Sequence, residues 1–421
     1  MEQEIILIEM ILFIVLNMFW IVLYMKKKSS INQLKKHNEK PFVSIIVPVY
    51  NKFDSIERTI KSVYNINYPK KEIIIINDGS TDGSDRKCEN LCKNLGIKFL
   101  NLKKNIGKAL AMNEGIKIAK GEIIVTVDAD SFPEKDSLNY LVPYFADKKI
   151  GAVAGTIKVS NHKNFITFFQ RLEYFQQAFQ RITQGFFGAV ITTPGPLTAY
   201  RKSALEKING FRNDTLIEDC DVSIRLHKAG YKVIAEDKAI SNTIAPDSLK
   251  SLHKQRVRWC RGGFQIGHKH FDVLFNRKLG TIGTVFFPLY FLWLFLPFLI
   301  LPTFLFMAPS SFASFIKGIQ SFIGLIGYSL TGFNFQQVFL IIENAIIDFL
   351  DIANLNLVRI MGLLSLSIFL LFIVFSIRTI KEKFEPEDLK ALILLPIYWF
   401  FLLVVFIESL FMEILRIEKK W

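Results

Sequence analysis

Five short stretches of the sequence carry acids and cations that could do chemistry: NDGST at 77–81, NIGK at 105–108, DAD at 128–130, IED at 217–219 and QRVRW at 255–259. Asp128 and Asp130 can face one cation-phosphate site if the chain bends after Asp128. Burying two like charges is costly unless a divalent cation offsets them. Mg2+ or Mn2+, held by carboxylate and completed by phosphate oxygens, fits that need. A lone DxD also arises by chance, so its place at the end of a strand carries the weight. Asp78 likewise ends an apolar run, and the small turn-forming residues after it let a ligand approach the backbone; a plain turn would read the same. Lys108 opens a helix after the NIG turn, where a cation beside exposed amides suits a diphosphate. The plainer reading is a solvated lysine. Glu218, Asp219 and Asp221 occupy the first turn of another helical stretch, where acids complement the helix dipole. The functional alternative makes one of them a general base that takes a proton from an acceptor hydroxyl. Gln255, Arg258 and Trp259 offer a donor, a diphosphate clamp and a flat face for a sugar ring.

The segments between these residues must position them. VSIIVPVY (43–50), EIIIIND (72–78), IKFLNL (97–102) and EIIVTVDAD (122–130) are rich in β-branched residues and apolar on both faces, as buried parallel strands are. SIERTIKSVYNI and GKALAMNEGIKIAKG carry apolar residues at helical spacing between them. The alternation predicts an α/β, doubly wound parallel sheet, in which ligands bind at the carboxyl ends of the strands. Asp78, Asp128 and Asp130 all fall at such ends, as do Pro48 and Tyr50 in PVYNK (48–52). The four cysteines, Cys88, Cys92, Cys220 and Cys260, match no zinc spacing and read as reduced thiols.

The rest of the chain belongs to lipid. Its 421 residues are 51% hydrophobic, with 40 Phe crowded toward the second half, which is too apolar for an ordinary soluble protein. Residues 5–25 are almost wholly apolar and are followed at once by Lys26, Lys27 and Lys28, the mark of an anchor whose following segment is cytoplasmic. Val285 to Met307, Ile360 to Ile377 and Leu389 to Leu415 are further span candidates, giving three to four spans. The mixed stretch 308–356, interrupted by Glu343, Asp348 and Asp351, suits interfacial or re-entrant helices. Glu408, Glu413 and the cationic tail leave the side of the C-terminus open. The predicted organisation is an anchor and linker over 1–40, a cytoplasmic domain over 41–270, and interfacial and transmembrane helices over 271–421, in a multi-pass protein of the plasma membrane. The net charge of +14 then reflects cytoplasmic flanks of spans rather than nucleic-acid binding.

Taken in order, PVYNK, NDGST, GK, DAD, GPLTAYR (195–201), IED and QRVRW, set between membrane segments, resemble the family 2 glycosyltransferases. The similarity is to their membrane-embedded branch of cellulose, hyaluronan and poly-N-acetylglucosamine synthases. It covers 41–270 closely and the membrane architecture loosely. The resemblance implies a GT-A-type mixed sheet, an inverting transfer from a UDP-sugar, and Mg2+ or Mn2+ as cofactor. It implies that Asp78 holds the uracil or ribose, Asp128 the nucleotide and Asp130 the metal. Lys108 would assist the diphosphate and Asp219 would be the catalytic base, with Pro48, Tyr50, Glu218, Gln255, Arg258 and Trp259 as substrate contacts. Arg256 and Arg261 are then the better candidates for lipid contact. Two residues depart from the family pattern: Ile217 stands where Thr usually precedes the ED pair, and Lys52 where Glu often follows PxYN.

The leading reading is a synthase that extends a β-linked polysaccharide and threads it through its own helices, with room for an accessory subunit. UDP-N-acetylglucosamine is the favoured donor; GPLTAYR looks hyaluronan synthase-like, while IED and the short chain look more like the poly-N-acetylglucosamine enzymes. A rival keeps the chemistry but transfers one sugar to a membrane lipid. A third, of another class, is a non-catalytic scaffold or export component.

Overall fold

The structure, a computed structural model, describes residues 2–27, 40–294 and 357–417. Lys28, the stretch 308–356 with its Glu343, Asp348 and Asp351, the second half of the Val285–Met307 candidate and the residues after Ile417 lie outside the described residues. The chain divides into two compact units, Met1–Val22 with Phe295–Phe372, and Leu23–Leu294 with Ile373–Trp421.

The second unit is built on an eight-stranded sheet of order β3-β2-β1-β4-β7-β6-β8-β5. Its first half alternates β1 (Val43–Val49), α2 (Ile56–Tyr64), β2 (Lys71–Asp78), α3 (Ser84–Leu95), β3 (Lys98–Leu102), α4 (Lys108–Ile118) and β4 (Ile123–Thr126), after an N-terminal α1 (Glu2–Lys27). β1 pairs parallel with both β2 and β4, so it lies between them with every residue buried. Successive side chains of a strand point to opposite faces. Val43, Ile45, Val47 and Val49 accordingly join one apolar core, and Ile46 joins the other with Ile74, Ile76 and Met112. β3 departs from the sequence reading of a strand buried on both faces: it is the sheet's edge, and Lys98 and Asn101 are exposed.

The second half makes the sheet mixed. β5 (Ser131–Pro133), α5 (Ser137–Leu141), β6 (Ile150–Val159), α6 (Phe165–Gly185), β7 (Thr198–Arg201), α7 (Lys202–Lys207), α8 (Glu218–Lys228) and β8 (Lys232–Thr243) follow. β7 runs antiparallel to both β4 and β6, while β6 and β8 are parallel. The α/β class holds, with a GT-A-like mixed sheet in place of the wholly parallel one that the strand pattern alone suggested.

α9 (Leu249–Lys269), opened by a Ser248–Ser251 capping box, carries QRVRW, and a further apolar helix α10 covers Ile282–Leu294. α11 (Leu357–Thr379), α12 (Pro386–Ile393) and α13 (Leu395–Ile414) complete the described chain. Among the described residues, three helical stretches are long and apolar enough to cross a membrane: Glu4–Lys26, Ile360–Thr379 and Ile397–Ile414. In the first unit the rings of Phe13 and Phe369 meet at 5.8 Å.

Within the second unit, α12 and α13 are tied to the sheet domain by charge. Arg171 of α6, only 3% exposed, donates to Asp388 Oδ2 at 2.6 Å and to Glu382 Oε2 at 3.2 Å. Arg256 of α9 donates to Glu173 Oε2 at 2.6 Å and to the Tyr398 hydroxyl at 3.1 Å, and Arg261 to Glu413 Oε1 at 2.6 Å. This overturns the expectation that Arg256 and Arg261 touch lipid. Both are buried, and a buried guanidinium needs its acid, which here comes from a neighbouring helix.

Candidate active site

β1, β2 and β4 of the parallel half each lead into polar residues at their carboxyl ends. After β1 the chain turns through Asn51, in the left-handed region at φ 50°, whose Oδ1 accepts from Thr81 N at 2.8 Å. Lys52 N donates to Ser84 Oγ at 2.9 Å, so the PVYNK and DGSTDGS turns are knitted into one rim. Pro48 is buried inside β1, while Tyr50 stands 44% exposed on that rim. Asp78 ends β2 and is buried; its two oxygens accept from Ile106 N at 2.8 Å and Gly107 N at 3.0 Å. Burial pushes its carboxyl up against the pull of those two amides. Asp78 thereby holds the turn from which Lys108 departs. Gly79, at φ +68°, lets the two turns meet, since a Cβ there would lie 2.6 Å from Asn105 N.

β4 ends at Thr126, and a turn closed by Ser131 N donating to the Asp128 carbonyl at 3.0 Å bends the chain after Asp128, as the DAD spacing requires. Each carboxylate then holds an ammonium. Lys108 Nζ lies 2.7 Å from Asp128 Oδ1, and Lys52 Nζ lies 2.6 Å from Asp130 Oδ2. Lys108 also reaches Glu218 Oε1 at 2.8 Å, linking the end of β4 to the start of α8. Burial opposes the charge on Lys108, but Asp128 and Glu218 together hold its pKa above the ordinary lysine value. Burial and the neighbouring Asp130 push Asp128 up. Glu218 is the opposite case: burial raises it, and Lys108 and Arg258 outweigh burial and hold it down.

Asp219 is half-buried beside that cluster, and burial, reinforced by the negative Glu218, raises its pKa to about 6. Its carbonyl accepts from the Thr193 hydroxyl at 2.7 Å, and that hydroxyl accepts in turn from Tyr200 at 2.9 Å. Asp221, the third acid of the same turn, faces away. It binds Arg225, Lys269 and His270, at 2.6, 2.6 and 2.9 Å, and these hold it well below the usual carboxylate range despite burial. That acid is structural, and the choice among the three acids narrows to Glu218 and Asp219.

The QRVRW residues divide. Arg258 faces the acids, lowering both Glu218 and Asp219, with its Nη1 3.5 Å from the Leu216 carbonyl. Gln255 accepts from Arg256 at 3.1 Å, and Arg256 lies 4.2 Å over the Trp259 ring. One face of that ring is therefore covered by a cation rather than open to a sugar.

Three contributors were missed in the sequence. α6 carries Arg181, whose pKa burial lowers to about 10 against the pull of the Asp219 charge. Its signal was present as an Asn164–Thr167 capping box ahead of an amphipathic run. Gly195 of GPLTAYR packs so closely that a Cβ would lie 2.6 Å from both Asp128 Oδ2 and Lys108 Nζ. Lys52, noted only as a departure from pattern, sits on Asp130.

Comparison with known proteins gives the arrangement its context. Residues 44–209 match the model of Glycosyl transferase family 2. A poly-beta-1,6-N-acetyl-D-glucosamine synthase of Staphylococcus epidermidis is 34% identical over 264 residues, 60% of this chain and 64% of that protein. The corresponding synthase of Staphylococcus aureus strain MSSA476 is 35% identical over 270 residues, 64% of this chain and 63% of its own. The match thus spans less than two thirds of either relative. A mannosyltransferase of Pyrobaculum calidifontis, solved with GDP-Man and Mn2+, shares the fold with a TM-score of 0.55 at 21% identity, over 89% of this chain and 98% of that one.

Proposed function

Taking residues 44–209 as a glycosyl transferase family 2 domain, we propose that the chain is a membrane glycosyltransferase. In this reading it uses a UDP-sugar, UDP-N-acetylglucosamine by preference, to extend a β-linked polysaccharide by an inverting transfer. The observation that carries the reading is the cluster Asp128–Lys108–Glu218 with Asp219, whose pKa of about 6 suits a base at neutral pH. The 34% identity to a poly-beta-1,6-N-acetyl-D-glucosamine synthase supports the choice of sugar.

The chemistry follows from the positions. Asp219 takes the proton of the acceptor hydroxyl while that oxygen bonds to the anomeric carbon. The bond from that carbon to the β-phosphate oxygen breaks, and its electron pair leaves with UDP. Displacement from the opposite side inverts the centre, so an α-linked donor yields a β-linked product. Lys108 and Arg258 stabilise the charge gathering on the leaving diphosphate. Asp78 and Asp128 hold the nucleotide, and Pro48, Tyr50, Glu218, Gln255 and Trp259 bound the donor and acceptor.

Asp130, with Asp128, fits a divalent cation. Both offer hard carboxylate oxygens, and the lysines on them are stand-ins for positive charge. Mg2+ or Mn2+ would be held by these carboxylates and completed by phosphate oxygens and water. When bound, such an ion would neutralise the diphosphate.

The apolar helices support a membrane protein; in this reading it is multi-pass in the plasma membrane, with residues 41–270 on the cytoplasmic side, and passes product through the bilayer with or without an accessory subunit. UDP release by the detergent-purified chain tests the reading, with UDP-N-acetylglucosamine, UDP-glucose and UDP-glucuronate compared under Mn2+ or Mg2+. Release with one donor, abolished in Asp219→Asn, is expected. A folded protein that binds UDP yet releases none from any donor, with lipid or glycan acceptor supplied, would return the scaffold reading. Product length on a gel separates polymer from a singly glycosylated lipid.

A further inference from the structure

Lys52 is placed on Asp130 by fixed backbone on both sides. Its own N donates to buried Ser84 at 2.9 Å, and its carbonyl accepts from Ser55 N at 3.2 Å and Ile56 N at 3.0 Å at the entry to α2. Across the rim, the Asp130 carbonyl accepts from Ile244 N at 3.1 Å, which fixes the acid. The side chains between these anchors meet at 2.6 Å, yet remain 42% and 25% exposed, so the pair is open to exchange with ions in solution. An ammonium and a divalent cation cannot share one carboxylate oxygen without strong like-charge repulsion. Asp128 does not relieve the conflict, because Lys108 holds it and is itself shared with Glu218.

We propose that Lys52 is a built-in counter-ion of Asp130 that a divalent cation must displace. It lowers the affinity of the free chain for metal and makes metal entry depend on nucleotide, whose diphosphate offers the displaced ammonium a new partner. The inference rests on the reading of Asp130 as a metal ligand. Lys52 acts on the metal site through Asp130 and is a positioning residue.

Mn2+ binding to the full chain in detergent, followed by the EPR signal of free Mn2+ with and without UDP, tests it. A half-exposed pair shifts an equilibrium by several-fold rather than by orders of magnitude, so Lys52→Met is expected to bind Mn2+ roughly two- to fivefold tighter without UDP. Lys52→Arg should behave as the wild type, and the gain in Lys52→Met should shrink when UDP is present. Asp130→Asn should weaken Mn2+ binding in every background. Unchanged or weaker Mn2+ binding in Lys52→Met, with the metal still lost in Asp130→Asn, overturns the role of Lys52 and leaves the metal reading standing. Absence of Mn2+ binding in every variant, while UDP still binds, overturns the metal reading and the inference with it. Lys52→Gln, checked by its melting transition, replaces Lys52→Met should the latter not fold.

Discussion

Asp128 and Glu218 share one ammonium: Lys108 Nζ lies 2.7 Å from the first and 2.8 Å from the second. One strand end and one helix start are thereby held at a fixed separation, with Asp219 next in sequence to the shared acid. The arrangement sets the charge state of the whole site, and it makes four predictions.

The pH dependence should carry the signature of Asp219. A base with a pKa of about 6 is active only when deprotonated, so UDP release should fall about tenfold per pH unit below that value and level off above it. Glu218 is one of the charges that raise Asp219, so Glu218→Gln should move the acid limb to lower pH. A limb that stays in place in Glu218→Gln would assign it to another group.

Asp219→Asn removes the proton acceptor while conserving shape. The expected loss is about 10²- to 10⁴-fold in turnover with UDP affinity within about threefold of wild type, measured by calorimetry. Loss of UDP binding in proportion to activity would instead make Asp219 a nucleotide contact.

Lys108→Met leaves Asp128 and Glu218 without the ammonium they share, and only Arg258 still acts on Glu218. The cost should be about 1–2 kcal/mol rather than that of a fully buried pair, because Lys108 is 37% exposed and water screens the acids. Lys108 also lowers Asp219, so the acid limb of the pH profile should move upward in this variant. Thermal unfolding and the profile are read on the same preparation.

Gly195→Ala places a methyl where Asp128 and Lys108 already stand, 2.6 Å from each. A displacement of about an ångström at a catalytic cluster costs roughly 10²-fold in rate, so turnover should fall while circular dichroism stays unchanged. Wild-type turnover in Gly195→Ala would show that the Asp128–Lys108 geometry is not needed.

Much of this protein is legible locally. The β-branched runs give β1, β2 and β4 as buried parallel strands, because side-chain period and burial on both faces are properties of a few neighbouring residues, whereas the edge position of β3 is not. The DAD bend follows the same logic, since a turn needs only its own small polar residues. The second half of the sheet was not legible in this way. β5 to β8 pair across the chain, so β7 running antiparallel to β4 depends on partners far away in sequence.

By itself the sequence determined the acids of the candidate site and two of its cations, Lys108 and Arg258, with the elements that carry them, while Lys52 and Arg181 emerged only from the packing. Only the tertiary structure decided which acid meets which cation, because that depends on the direction each helix presents to its neighbours. Asp219 and Asp221 differ by two residues, which on a helix is about 200° of rotation; one turns to the cleft and the other to Arg225 and His270. Arg256 and Arg258 are separated in the same way on α9, so Arg256 is buried against Glu173 and Tyr398 while Arg258 faces the acids of α8. Identical residue types two positions apart take opposite roles, because packing fixes the rotation of the helix that carries them.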